Sequence, residues 1–341
     1  MAGKLPKIVV PATPRQAARA GDDYGVRDEP DWTTIDWSQH LHQTRIEGRL
    51  VNYVDIGSGD EPPAVLIHGI SGNWQNWLEN IPRFAQERRV VALDLPGFGE
   101  SEDMAEEPTM SGMGRAVEGL CDHLGLGKIA LIGNSMGGFI AAETTIAFPE
   151  RVERLVLCSS AGITTSELRR EPVMAWGRAI AMGGTRSAAE VRMAVLRPRL
   201  RHLVFALIVR HPSRIRPDIL FEISRGAGRD AFMPTLQAIL EYDFRDRLPE
   251  IRCPTLIVWG AKDAIVPSED AYVYEELIPG TQPVVMLEDT GHVPMIERPR
   301  TFNDSVLEFL AGPAPDQGIA EDAGARESQD AGEPEPEAAP A

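Results

Sequence analysis

Leu131-Ile-Gly-Asn-Ser-Met-Gly-Gly-Phe139 carries the pattern Gly-x-Ser-x-Gly at the end of an apolar run, Ile129 to Ile132. The run reads as a short buried strand and Met136 to Phe148 as a helix, so Ser135 falls on the turn that joins them. On such a turn the serine backbone is strained and its neighbours crowd. Gly133 and Gly137 lack the side chains that would hold strand and helix apart. The expected result is an exposed hydroxyl at the carboxyl edge of a sheet. A lone Gly-x-Ser-x-Gly is a weak signal because Gly and Ser are common in turns, but the strand before it and the helix after it give it weight. Ser135 is the candidate nucleophile.

Outward from this turn, strand and helix signals alternate. Strands are predicted at Thr44 to Ile46, Leu50 to Ile56, Ala64 to His68, Arg89 to Leu93, Lys128 to Ile132, Arg154 to Cys158, Thr255 to Trp259 and Gln282 to Leu287. Several are short and apolar on both faces, as strands covered by helices on both sides must be, whereas Leu50 to Ile56 alternates and suits an antiparallel edge. Helices are predicted near Trp74 to Glu87, Met110 to Leu124, Met136 to Phe148, Ser268 to Leu277 and Arg300 to Leu310. The fold class is α/β: a doubly wound, mostly parallel eight-stranded sheet with helices on both faces.

Alternation stops between residues 163 and 245, where helical periodicity continues without a convincing strand. A structureless loop of that length is implausible in a folded domain, so the stretch reads as a helical cap inserted between the two halves of the core, 39–162 and 246–311. It holds fourteen Arg, no Lys and eight acidic residues. Residues 1–38 read as a loosely ordered extension. Residues 312–341, with eight acidic residues, one Arg and five Pro, read as a disordered acidic tail that cannot bury enough apolar surface to offset its ordering entropy.

The 341-residue chain has a formal net charge of −17, which argues against a general affinity for nucleic acid. Its three cysteines, Cys121, Cys158 and Cys253, are too few and scattered for a disulfide framework or a zinc site, and a cytoplasmic setting is expected. No run approaches the roughly eighteen apolar residues of a membrane-spanning helix, so no integral membrane segment is expected. Oligomeric state stays open, a homo-oligomer included.

A serine hydroxyl becomes a good nucleophile only when a base takes its proton, and the base needs an acid that fixes its tautomer. His292, in Asp289-Thr-Gly-His-Val-Pro294, follows the last predicted strand, and Asp263, in Trp259-Gly-Ala-Lys-Asp263, follows the strand before it. Both stand at strand carboxyl ends, on the edge where Ser135 emerges. His40 and His42 precede the core, His123 lies in a helix, and His202 and His211 fall in the cap. Attack on a carbonyl also needs donors for the developing oxyanion. The backbone N–H of Met136 is one candidate. The loop His68-Gly-Ile-Ser-Gly72 offers the second, taken as the Ile70 N–H with Ser71 the alternative; His68 reads as a loop-organising residue.

Together, His68-Gly69, Asp94-Leu-Pro-Gly-Phe-Gly-Glu-Ser101, Gly133-Asn-Ser-Met-Gly-Gly138, Gly260-Ala-Lys-Asp263 and Gly291-His292 resemble the α/β-hydrolase fold family in its cap-bearing branch, over roughly Leu41 to Gly312. The order Ser, Asp, His matches that family's triad. The resemblance implies a serine hydrolase that needs no metal or organic cofactor and acts on a small-molecule substrate. Ser in place of Asp at the turn disfavours the alkyl-enzyme chemistry of related dehalogenases and epoxide hydrolases. Gly133 to Gly138 is similar to the elbow of carbon–carbon bond hydrolases of ring-fission products, but the His68-Gly69 loop lacks their Gly-rich run, and a carboxylic-ester hydrolase acting on a largely apolar substrate is preferred. A cofactor-free perhydrolase and a non-catalytic ligand receptor are the other readings. The arginines of the cap suit solvated helix faces; the alternative is that one or two point inward to hold a substrate carboxylate, and because Val204 to Val209 is apolar enough for a pocket roof, Arg201 and Arg210 are the nearest candidates.

Overall fold

Eight mostly apolar runs pair into one sheet in the computed structural model, which describes residues 12–168, 171–175, 177–178 and 188–313. In chain order they are β1 (Leu41–Ile46), β2 (Arg49–Ile56), β3 (Ala64–Ile67), β4 (Val90–Leu93), β5 (Ile129–Asn134), β6 (Val152–Cys158), β7 (Thr255–Gly260) and β8 (Val285–Leu287). Across the sheet the order is β1-β2-β4-β3-β5-β6-β7-β8. Only β1–β2 and β2–β4 pair antiparallel; β4 through β8 run parallel. Every predicted strand has its counterpart.

Helices of two turns or more include α1 (Met110–His123), α2 (Met136–Ala147), α3 (Ala188–Leu196), α4 (Pro198–Phe205), α5 (Pro217–Ser224), α6 (Phe232–Glu241), α7 (Asp270–Leu277) and α8 (Pro299–Leu310). Successive strand residues point to opposite faces. Val65, Ile67, Val91, Leu93 and Leu131 enter one core layer with α1 and α2, while Ala64, Leu66, Val90, Ala92 and Ile132 enter the other with Trp77, Phe84 and Phe302. The single helix predicted over Trp74 to Glu87 is instead a 3-10 turn, Trp74–Trp77, and a short helix, Ile81–Phe84. Pro82 is the reason: without an N–H it is tolerated only in a first turn, so the helix restarts just before it.

β3 lies between β4 and β5, so the chain turns opposite ways from the adjacent strands β3 and β5. In open α/β sheets ligands bind in the crevice such a switch leaves at the strand carboxyl ends. Ser135 follows β5 and Gly69 to Gly72 follow β3, which puts both at that crevice.

The described residues of 163–245 contain helices and no strand. They belong to the same compact unit as the sheet. The disordered-tail expectation lies outside the described residues from 314 onward. For residues 12–38 the expectation of loose order is corrected. Ala20, Tyr24 and Trp32 are buried in the second core layer, Trp32 Nε1 donates to Glu79 Oε1 at 3.0 Å, and Arg27 bridges Glu79 of the core to Asp218 of α5. No helix of the described residues is long and apolar enough to cross a membrane.

Candidate active site

Ser135 stands between β5 and α2 with φ 57° and ψ −120°, a left-handed conformation that a residue with a side chain rarely adopts. The surroundings hold it there. Its N–H donates to the Cys158 carbonyl at 3.0 Å and its carbonyl accepts from Ala161 N–H at 3.0 Å, so the end of β6 clamps the turn. A Cβ at Gly133 would collide with the Gly137 carbonyl, and one at Gly137 with the carbonyl of Ile67, which explains both glycines. Ser135 is only 7% exposed. The residue as a whole is therefore largely buried.

Asp263 and His292 meet where the loops after β7 and β8 converge. Asp263 Oδ1 accepts from the N–H groups of Ile265 (2.8 Å) and Val266 (3.0 Å), and Oδ2 lies 2.7 Å from His292 Nδ1. With the carboxylate side chain fully buried, Nδ1 carries the proton in the neutral ring and Nε2 keeps its lone pair. Thiols offer no competing nucleophile: burial pushes Cys121 and Cys253 up to about 12 and raises Cys158 as well.

Met136 opens α2, where first-turn N–H groups have no partner within the helix. Gly69 to Gly72 is a tight turn closed by Gly72 N–H to the Gly69 carbonyl at 3.0 Å, which leaves the amides of Ile70 and Ser71 out of its hydrogen bond. This turn adjoins Ser135, since a Cβ at Gly69 would lie 3.1 Å from the Ser135 Cβ. His68 organises it. Its Nε2 accepts from Leu95 N–H at 3.0 Å, so Nδ1 carries the proton and donates to the Gly69 carbonyl at 2.7 Å; burial lowers its pKa. Asp94, behind it, accepts from Trp74 N–H (2.7 Å), Asn52 Nδ2 (2.9 Å) and Glu100 N–H (2.9 Å), a structural task consistent with its place in a turn.

Three features escape a reading of the sequence. Asn134, next to the candidate nucleophile, donates from Nδ2 to the carbonyls of His292 (3.2 Å) and Cys158 (3.1 Å), which ties the β5 turn to the histidine loop. Glu297 is fully buried and accepts from the N–H groups of Gly291 (2.9 Å), Val293 (3.3 Å) and Arg210 (2.9 Å) and from the Tyr24 hydroxyl. Burial raises its carboxyl above the usual range, and these donors oppose that rise. It braces the loop on both sides of His292, and Tyr24 brings the amino-terminal segment into the brace. Third, His292 N–H donates to the Ile208 carbonyl at 3.0 Å, so the insertion also holds this loop. A large aromatic alone in a polar stretch, Tyr24, and an acid five residues after His292 were the available signals.

Within the stretch expected to roof a pocket, Phe205 and Val209 are buried. Val204 and Leu207 are exposed, and the apolar group against Ile70 is Val173, Met174, Phe232 and Leu236. Arg201 is buried with Nη1 donating to the Ile215 carbonyl at 2.7 Å, and Arg210 pairs with Asp289 at 3.2 Å. Neither arginine nominated for a substrate carboxylate is aimed by these contacts at Ser135.

A family described as the alpha/beta hydrolase fold matches residues 62–299. The chain is 33% identical over 279 residues to the dihydrolipoyllysine-residue acetyltransferase component of an acetoin cleaving system of Pseudomonas putida, covering 79% of this chain and 68% of that protein. It is 32% identical over 278 residues to 2-hydroxy-6-oxononadienedioate/2-hydroxy-6-oxononatrienedioate hydrolase of Escherichia coli (strain K12), covering 77% and 91%. Among solved structures, a malate-bound thermophilic esterase from Thermogutta terrifontis aligns with a TM-score of 0.64 at 27% identity, covering 80% of this chain and 97% of the esterase. With the eight-stranded sheet and its crevice already described, these likenesses identify the chain as a member of the α/β-hydrolase fold family and as a hydrolase.

Proposed function

We propose that the protein is a serine hydrolase that cleaves the carboxylic ester of a small, largely apolar substrate through an acyl-enzyme. The observation that carries this reading is the Asp263–His292 hydrogen bond of 2.7 Å on the sheet edge where the strained Ser135 turn stands. His292 Nε2 takes the Ser135 proton as Oγ attacks the acyl carbon. The charge that develops on the carbonyl oxygen is received by the N–H groups of Met136 and Ile70. His292 then gives its proton to the leaving alkoxide, the carbon–oxygen bond breaks, and the alcohol departs. A water deprotonated by His292 attacks the acyl-serine, releasing the acid and restoring the Ser135 hydroxyl. Asp263 stays ionised throughout and stabilises the imidazolium.

The helical insertion serves as the cap, and its apolar residues Val173, Met174, Phe232 and Leu236 beside Ile70 favour an apolar acyl or alkoxy group. The three free cysteines fit a cytoplasmic, reducing setting. The 32% identical relative, named as a hydrolase of a dioate, supports a second reading: carbon–carbon cleavage of a ring-fission product. A dianionic substrate calls for cations at the site, and Arg201 and Arg210 are engaged elsewhere, which favours the ester. The test is a series of p-nitrophenyl esters of rising chain length beside a ring-fission dienone, each with the parent protein and Ser135→Ala. Multiple turnovers of esters that vanish in Ser135→Ala are expected. Faster cleavage of the dienone than of every ester would replace the ester reading, and peracid formation with peroxide would favour a perhydrolase.

A further inference from the structure

Helices α3 and α4 carry apolar side chains on two faces. The inner set, including Val195 and Phe205, is buried in the core layer that also holds Val293. The outer set is exposed: Met193 and Leu196 on α3, then Leu200, Leu203, Val204 and Leu207 on and just after α4. The latter four recur at i, i+3, i+4 and i+7, the spacing of one helix face. Nine large hydrophobic side chains are exposed among the described residues, and these six of them fall within residues 193–207, which marks a patch rather than scatter. A face destined only for water would carry polar groups at these positions. Leu203 is 78% exposed.

The charges interleaved with this stripe have one sign. Arg192, Arg197 and Arg199 are exposed, and none of them joins an ion pair among the described residues. Glu190 is the sole acidic residue between 188 and 210, in a chain whose net charge is −17. We propose that the outer face of α3 and α4 docks on an anionic bilayer surface, with its Leu and Met side chains entering the acyl boundary and its guanidiniums pairing with lipid phosphates. Exposed apolar residues flanked by arginines on short helices are the physical requirement of interfacial binding. A symmetric contact with a second copy would instead set the three arginines against themselves. The face adjoins the candidate site, because Leu207 precedes Ile208, whose carbonyl accepts the His292 N–H at 3.0 Å.

The experiment uses full-length Ser135→Ala protein, so that its outcome is independent of the ester reading, and co-sedimentation with vesicles of phosphatidylcholine alone or mixed with phosphatidylglycerol. Partitioning onto the anionic vesicles is expected, weakened by added salt. Arg192→Gln, Arg197→Gln and Arg199→Gln together should lower it roughly a hundredfold. Leu200→Ser with Leu203→Ser should lower it by at least about tenfold, while melting temperature and turnover of a water-soluble ester in the Ser135 background stay at parent values. Failure to sediment with either vesicle would overturn the proposal, as would partitioning that ignores these substitutions. A dimer in sedimentation velocity that Leu203→Ser converts to monomer would overturn it too, by showing that a second copy covers the face.

Discussion

The carboxyl edge of the sheet and the α3–α4 segment of the insertion both contain apolar residues, yet they are built on opposite rules. At the edge, polar groups are enclosed and matched: Asp263 has two backbone donors and His292, Asn134 reaches two carbonyls, and Glu297 collects three amides and a hydroxyl. In α3 and α4 the apolar stripe lies open, and Arg192, Arg197 and Arg199 meet no carboxylate among the described residues. Burial makes each unmet hydrogen bond costly, so the edge admits one arrangement and holds it. The outer face of the insertion bears no such constraint; what selects its residues is whatever they meet. One region is defined from within, and the other from outside.

The comparison breaks most visibly if the edge can lose a member cheaply. Ser135→Ala is expected to lower kcat for a p-nitrophenyl ester on the order of 10⁶-fold, His292→Ala to match it, and the double variant to be hardly worse, because the groups act as one unit. Unchanged labelling of Ser135→Ala by a fluorophosphonate would remove Ser135 from the role. Asp263→Asn is expected to cost about 10⁴ in kcat, since an amide fixes the wrong tautomer of His292. A loss below tenfold, with the fold intact by circular dichroism, would mean that the carboxylate does not orient the ring.

Asn134→Ala sharpens the picture one shell further out. The variant leaves the His292 carbonyl without its Asn134 donor, removes one of the two donors to the Cys158 carbonyl, and frees the histidine loop from the β5 turn. A displacement of about 1 Å at a reacting group costs on the order of 10² in rate, and that is the expected fall in kcat, with KM little changed. An equal fall in ester affinity would place Asn134 against the substrate instead.

What could be read in advance divides along the same line. The placement of the candidates Ser135, Asp263 and His292 on one sheet edge was legible because each sits in a short motif at the end of an apolar strand, and parallel strands deliver their carboxyl ends to one edge whatever their order. Their neighbour Asn134 acts through the carbonyls of Cys158 and His292, 24 and 158 residues along the chain, and Glu297 joins the nearby amides of Gly291 and Val293 to that of Arg210, 87 residues away; no local pattern announces either. Tyr24 is the clearer case: its partner lies 273 residues away, and its own surroundings in the sequence are polar. In the insertion, composition could not separate Phe205 and Val209, which are buried, from Val204 and Leu207, which are exposed. A helix with two apolar faces has no pattern that says which one the protein covers.

Tyr24→Phe tests whether residues 12–38 belong to the enclosed region. Its hydroxyl donates to Glu297 and accepts from His211 N–H at 2.9 Å, and removing it leaves a buried carboxylate short of one donor. A destabilisation of roughly 1 to 3 kcal/mol is expected, read as a lower denaturant midpoint at constant m-value. A midpoint equal to that of the parent would show that the segment rests on the core without bracing it.

The smallest effect is expected at Leu203, and its smallness is the point. A buried leucine exchanged for serine would lose the transfer free energy of its side chain and leave a cavity, on the scale of 2 to 5 kcal/mol for comparable truncations. Leu203 is already 78% exposed, so nearly all of that transfer term is absent before the substitution is made. Serine has a somewhat lower helix propensity than leucine, by a few tenths of a kcal/mol, and α4 is short. Leu203→Ser should therefore shift stability by less than about 0.5 kcal/mol in either direction, the range of surface substitutions. It should also leave hydrolysis of a water-soluble ester unchanged, since none of the contacts that hold His292 or Ser135 involves its side chain. A loss of 2 kcal/mol or more in urea unfolding would mean that Leu203 is covered in solution, and the contrast between an enclosed edge and an open helical face would fail at its most exposed residue.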